Sequence, residues 1–108
     1  MDKPINKVDI FNTALPAADT DFLTSDIKPT LDPGILRVYV TLSIAGVFYV
    51  SRTVAAATVT ELLNSGVDLT AGCAYAFSVA WKAGESINFK CTTTGGTINK
   101  LQVDESWS

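Results

Sequence analysis

From Leu36 to Trp81 the chain beats in twos. Leu36, Val38, Val40, Leu42 and Ile44 alternate with Arg37, Tyr39, Thr41 and Ser43, and Tyr75, Phe77, Val79 and Trp81 alternate with Ala74, Ala76, Ser78 and Ala80. Successive side chains of a strand face opposite ways, so the beat predicts strands with one buried and one wetter face. It predicts strands over 35–44, 47–54, 58–63, 74–82, 86–92 and 97–105. Short edge strands are predicted near 7–13 and 21–28. Ala45-Gly46 and Ala83-Gly84 each predict a tight hairpin between the strands that flank them. Ile98 and Leu101 stand three apart, which breaks the parity and predicts a bulge near Asn99-Lys100.

About eight short strands, with turn signals every 8–12 residues or so, are the pattern of an all-β fold: an antiparallel β-sandwich of jelly-roll type. All four prolines, Pro4, Pro16, Pro29 and Pro33, fall before residue 35. Proline removes a ladder donor, so this stretch cannot hold long central strands. The chain therefore divides into an irregular N-terminal arm, 1–34, and a sandwich body, 35–108. An arm of this kind covers a sheet edge or reaches a neighbouring subunit.

Composition adds one point. Hydrophobic residues make up 47% of the chain and charged ones only 18%, against ~25% in ordinary domains. Either the sandwich is simply well filled, or surface is hidden in subunit contacts. The net charge of −3 lies in the arm, where three lysines meet six aspartates; the body is neutral. With no basic patch, nucleic acid is not expected as a partner. No apolar run follows Met1-Asp2-Lys3-Pro4, so the expectation is a product made in the cytoplasm without a membrane partner.

Candidate chemistry is sparse. The chain has no histidine, the commonest general base. Its serines lack the Gly-x-Ser-x-Gly elbow, and Asp104-Glu105 are adjacent, so they point to opposite faces of a strand. We expect no enzyme, no cofactor and no metal. Asp19-Thr20-Asp21 with Asp26 offers hard oxygens but not the spacing of a calcium loop. Cys73 and Cys91 are expected as two free, buried thiols, because a 74–92 hairpin would set them diagonally, beyond the ~7 Å that a disulfide allows. The aromatics remain. Tyr75, Phe77 and Trp81 share the core parity. Phe11, Phe22, Tyr39, Tyr49 and Trp107 are the candidate interface residues: Tyr39 lies on the polar face of its strand, and Trp107 is hard to bury so near the C-terminus.

The runs Leu36-Arg37-Val38-Tyr39-Val40, Gly46-Val47-Phe48 and Val50-Ser51-Arg52-Thr53-Val54 resemble small tailed-phage virion proteins. So do Glu61 to Gly66, Leu69-Thr70-Ala71, Ala83 to Phe89 and Leu101-Gln102-Val103-Asp104-Glu105. The resemblance spans roughly residues 35–105, consists of strand and turn residues, and contains no catalytic motif. It implies a non-enzymatic virion structural protein: a capsid decoration (cement) protein that stabilises the shell, trimeric, with the major capsid protein or other virion proteins as partners. The alternative it implies is a tail-fibre or receptor-binding module that recognises a host glycan. Either would be located in the virion.

Overall fold

The computed structural model describes residues 4–107; residues 1–3 of the expected arm and Ser108, which closes the expected body, lie outside them. Seven strands follow one another: β1 (Ile5–Ala14), β2 (Gly34–Leu42), β3 (Phe48–Val54), β4 (Ala57–Leu62), β5 (Tyr75–Trp81), β6 (Glu85–Cys91) and β7 (Thr97–Trp107). They form two antiparallel sheets, one ordered β1-β7-β2-β5 and the other β4-β3-β6. The all-β sandwich expected from the alternation is the fold.

The expected eighth strand, near 21–28, is not a ladder strand. Residues 19–27 run as a strap beside β6 and bond to it at intervals: Asp19 N–H to Cys91 O (2.8 Å), Phe22 N–H to Phe89 O (2.8 Å), and a two-way bridge between Ile27 and Ile87. With the strap in eighth place the second sheet reads strap-β6-β3-β4. Two four-membered layers in this order make the double Greek key of a jelly roll. The stretch expected as an arm is thus laid onto the sandwich, as edge strand β1 and as the strap.

Two predicted hairpins are absent. β2 pairs with β5 and β7, and β3 pairs with β4 and β6, so Ala45-Gly46 carries the chain from one sheet to the other. Ala83-Gly84 does the same between β5 and β6. A turn signal marks a reversal but not whether the two strands share a sheet. Here each strand has an apolar face to bury, and crossing lets those faces meet. The tight hairpin lies instead between β3 and β4, where Ala55 and Ala56 both take positive φ (50° and 66°).

The parity reading holds in the core. Leu36, Val38, Val40 and Leu42 of β2, Val79 and Trp81 of β5, and Leu101 and Val103 of β7 are buried. From the other sheet come Phe48, Val50, Ile87, Phe89 and Cys91. Phe48 sits at the centre, its ring stacked 5.4 Å from Phe89 and 6.4 Å from Phe77. Tyr75 and Phe77 are half-buried against this cluster. The predicted bulge is present: Thr41 pairs with Lys100 and Leu42 with Ile98, so Asn99 is passed over and both Ile98 and Leu101 face inward. Cys73 corrects an expectation. Both thiols are free, but only Cys91 is buried; Cys73 is exposed, because it belongs to the turn before β5.

Candidate functional site

The five candidate aromatics do not converge. Tyr49 is internal: it is buried on β3, and its hydroxyl donates to Asp19 Oδ1 at 2.7 Å. Burial, then the bond to Asp19, pushes its pKa up to about 12. Tyr49 therefore anchors the strap rather than a partner, which corrects its reading as an interface residue. Phe22 is also turned inward, its ring 5.7 Å from that of Phe48. Trp107 ends β7 half-exposed, opposite Gly34 of β2.

Phe11 and Tyr39 alone share a surface. The outward face of the four-stranded sheet carries Phe11 and Asp9 from β1, Lys100, Gln102 and Asp104 from β7, and Arg37 and Tyr39 from β2. Lys100 Nζ lies over the Tyr39 ring, 5.8 Å from its centroid. Phe11 and Tyr39 flank β7 diagonally, opposite Lys100 and Gln102 respectively, with Cα atoms roughly 12 Å apart. Beside them the polar side chains are tied in pairs: Gln102 Nε2 donates to Asp9 Oδ1 at 2.7 Å, and Asn6 Nδ2 to Asp104 Oδ1 at 3.1 Å. The face is charge-balanced and carries two exposed rings.

A second candidate is a groove of about 490 Å³ between β1 and the strap, with Val8, Ile10, Phe22 and Leu23 as its apolar lining and Lys28 at its rim. The strap's acids are engaged in holding it down. Asp26 accepts from Asn88 Nδ2 (2.8 Å) and Ser86 Oγ (3.1 Å), and Asp21 lies 3.9 Å from Lys90 Nζ. Among the described residues no three acids or cysteines come together to hold a metal ion.

Two ion-pair clusters escaped the sequence reading. Glu105 is fully buried on the inward face of β7 and takes the N–H groups of Thr30 and Leu31, each 2.9 Å from Oε2. Lys7 Nζ lies 3.2 Å from its Oε1 and also donates to Thr30 Oγ1 and the Lys28 carbonyl. Burial opposes ionisation, but the two N–H groups and the Lys7 ammonium outweigh it and hold the Glu105 pKa below the usual carboxylate range. Lys7 is the extra residue of a bulge, since Asn6 pairs with Asp104 and Val8 with Val103. At the far end, Arg52 reaches both Glu61 and Glu85. Burial would lower the Arg52 pKa; the two carboxylates raise it.

No protein-family model, curated protein or solved structure matches the chain.

Proposed function

We propose that the chain is a non-enzymatic structural protein of a tailed-phage virion, and specifically a decoration protein that seats on the capsid shell. The observation that carries this reading is where its large apolar side chains are exposed. Phe11 and Tyr39 lie on the outward face of the four-stranded sheet, and Val59 and Leu62 on the two faces of edge strand β4. Broad, shallow exposure of this kind suits protein–protein contact rather than a substrate cleft. Its charged clusters are spent on the chain's own segments, the Lys7–Glu105 pair on residues 28–31 and the Asp19–Tyr49 bond on the strap. The jelly roll recurs in capsid and lectin domains, a fold-level analogy that agrees with the sequence resemblance.

The second reading, a receptor-binding module for a host glycan, is favoured by one observation: Phe11 and Tyr39 are exposed on the sheet face that also carries the Gln102–Asp9 and Asn6–Asp104 amide–carboxylate pairs. Rings that cover sugar C–H groups, flanked by fixed hydrogen-bonding groups, suit a neutral oligosaccharide. Immunogold labelling of purified virions with antibody to the chain decides between the two. Label over the heads is expected; label at the tail tip favours the glycan reading, and label-free virions overturn both.

A further inference from the structure

A β-sandwich of this kind has four sheet edges, and a bare edge is a template for another strand. Three of the four are managed. The β6 edge is covered by the strap, through backbone bonds at Cys91, Phe89 and Ile87. The β1 edge is broken by the Lys7 bulge and by Asn12 in a left-handed conformation (φ 49°), and it carries Lys7 and Asp9. The β4 edge is six residues long and holds the Glu61 carboxylate.

β5 is different. It ends its sheet, runs seven residues without proline, glycine or charge, and keeps unbroken register with β2. Its sequence is Tyr75-Ala76-Phe77-Ser78-Val79-Ala80-Trp81. Read from either end it goes aromatic, alanine, large apolar, serine, large apolar, alanine, aromatic. An antiparallel copy centred on Ser78 sets Tyr75 against Trp81, Ala76 against Ala80, Phe77 against Val79 and Ser78 against itself. Large side chains thus continue the core face, and only small ones meet on the outer face, where Ala76, Ser78 and Ala80 are exposed. No like charges oppose one another.

The flank beside β5 agrees. The groove lining places the strap beneath β1, so in the layer order strap-β6-β3-β4 the other end, β4, lies beneath β5. There Val59 (50% exposed) shares the core-side parity of Val50, whereas Leu62 (58%), opposite Tyr49, faces the other side of the sheet. We infer that a second copy of this chain pairs with it edge to edge, β5 against β5 about a two-fold axis through Ser78. The result is one continuous eight-stranded sheet, with Val59 of β4 adding apolar area on the core side. A two-fold contact yields an even number of copies, not the trimer that the virion resemblance implies. The pairing concerns the chain alone and holds whichever functional reading is right.

Light scattering after gel filtration tests this on the full chain. The expected mass is twice the 11.5 kDa of one chain. Ala76→Lys with Ala80→Lys sets two pairs of ammonium groups against each other and should weaken association by roughly tenfold or more. Ala76→Lys with Ala80→Glu adds the same bulk but sets unlike charges opposite, and should keep the doubled mass. Amides of β5 in the unmodified protein should exchange hydrogen more slowly at high than at low concentration. A monomeric or trimeric wild-type mass overturns the inference. So does a double-lysine variant that associates normally, a Lys/Glu variant as dissociated as the double-lysine one, or concentration-independent exchange in β5.

Discussion

Lys7 and Glu105 meet 3.2 Å apart across the bulge in β1, the carboxylate wholly buried and the lysine side chain 16% exposed. A buried charge is tolerable only when paired and hydrogen-bonded. Here the partners are one ammonium and two backbone N–H groups of residues 30–31, so the pair ties the chain ahead of β2 to edge strand β1 and its neighbour β7. Removing one partner strands the other. Glu105→Ala should cost ~3–5 kcal/mol in urea unfolding, within the range for a broken buried pair. Lys7→Met should cost less, because the two N–H groups still face the carboxylate.

The same pair sets an acid limit. The Glu105 pKa is lower in the folded chain than the ordinary carboxyl value of 4.5. Its contribution to stability is therefore complete above about pH 4.5 and is lost as pH falls through the depressed folded value. Melting temperature measured downward from neutral pH should fall below pH 4.5. In Glu105→Gln that part of the fall should be missing, with a lower melting temperature at neutral pH. An unchanged acid limb in Glu105→Gln would show that other carboxylates set it.

Tyr49 sets the alkaline counterpart. Its folded pKa, about 12, lies above the ordinary phenol value of 10.0. The stability it contributes is present below pH 10 and is lost as pH rises towards 12. Tyr49→Phe removes both the titration and the bond to Asp19, and should cost ~1 kcal/mol near neutral pH. Tyrosinate absorbance should show a step near pH 12 in the wild type that is missing in Tyr49→Phe. Strap amides around Asp19 should exchange faster in the variant.

How far the fold was legible follows from what each signal encodes. The two-residue beat fixes which face of a strand is buried, and it placed Leu36 to Leu42 and Ile87 to Cys91 correctly. The clash of parity between Ile98 and Leu101 located the bulge at Asn99. Pairing partners are not local. Ala45-Gly46 and Ala83-Gly84 look like hairpin turns, yet both connect different sheets. The true hairpin hid behind Ala55-Ala56, which lacks the Asn-Gly signature of such turns. Glu105 was legible as one of two carboxylates on opposite faces. What could not be read was that its face is the core, because its partners come from Lys7 and from residues 30–31, over seventy positions away in sequence. Tyr49 misled for the same reason: only the folded chain brings Asp19 to its hydroxyl.

Gly34 stands where β2 passes beneath the Trp81 indole. A Cβ built on Gly34 would lie 2.6 Å from Trp81 Nε1 and 3.0 Å from the Leu31 carbonyl. Neither neighbour yields easily, since Trp81 is 2% exposed and Leu31 O is backbone. Gly34→Ala should therefore destabilise by ~1–3 kcal/mol through overpacking. Trp81 fluorescence should shift with it. A variant as stable as the wild type would show that the indole has room to move.

The β3–β4 turn offers the opposite case, a site where glycine is missing. Ala55 and Ala56 both occupy the left-handed region, at φ 50° and 66°, as a two-residue hairpin between Val54 and Ala57 requires. That region costs a residue with a Cβ roughly 1 kcal/mol or more, and costs glycine almost nothing. Glycine also loses more freedom on folding, which returns part of the gain. Asparagine at the first position tolerates positive φ without that loss. Ala55→Asn with Ala56→Gly should therefore raise stability by ~1 kcal/mol, a melting-temperature gain of about 4–8 °C for a domain near this size. The turn is solvent-exposed and its side chains pack on nothing in the core, so a gain can be assigned to the backbone. No gain, or a loss, in thermal unfolding would mean that the turn does not hold the left-handed pair in solution.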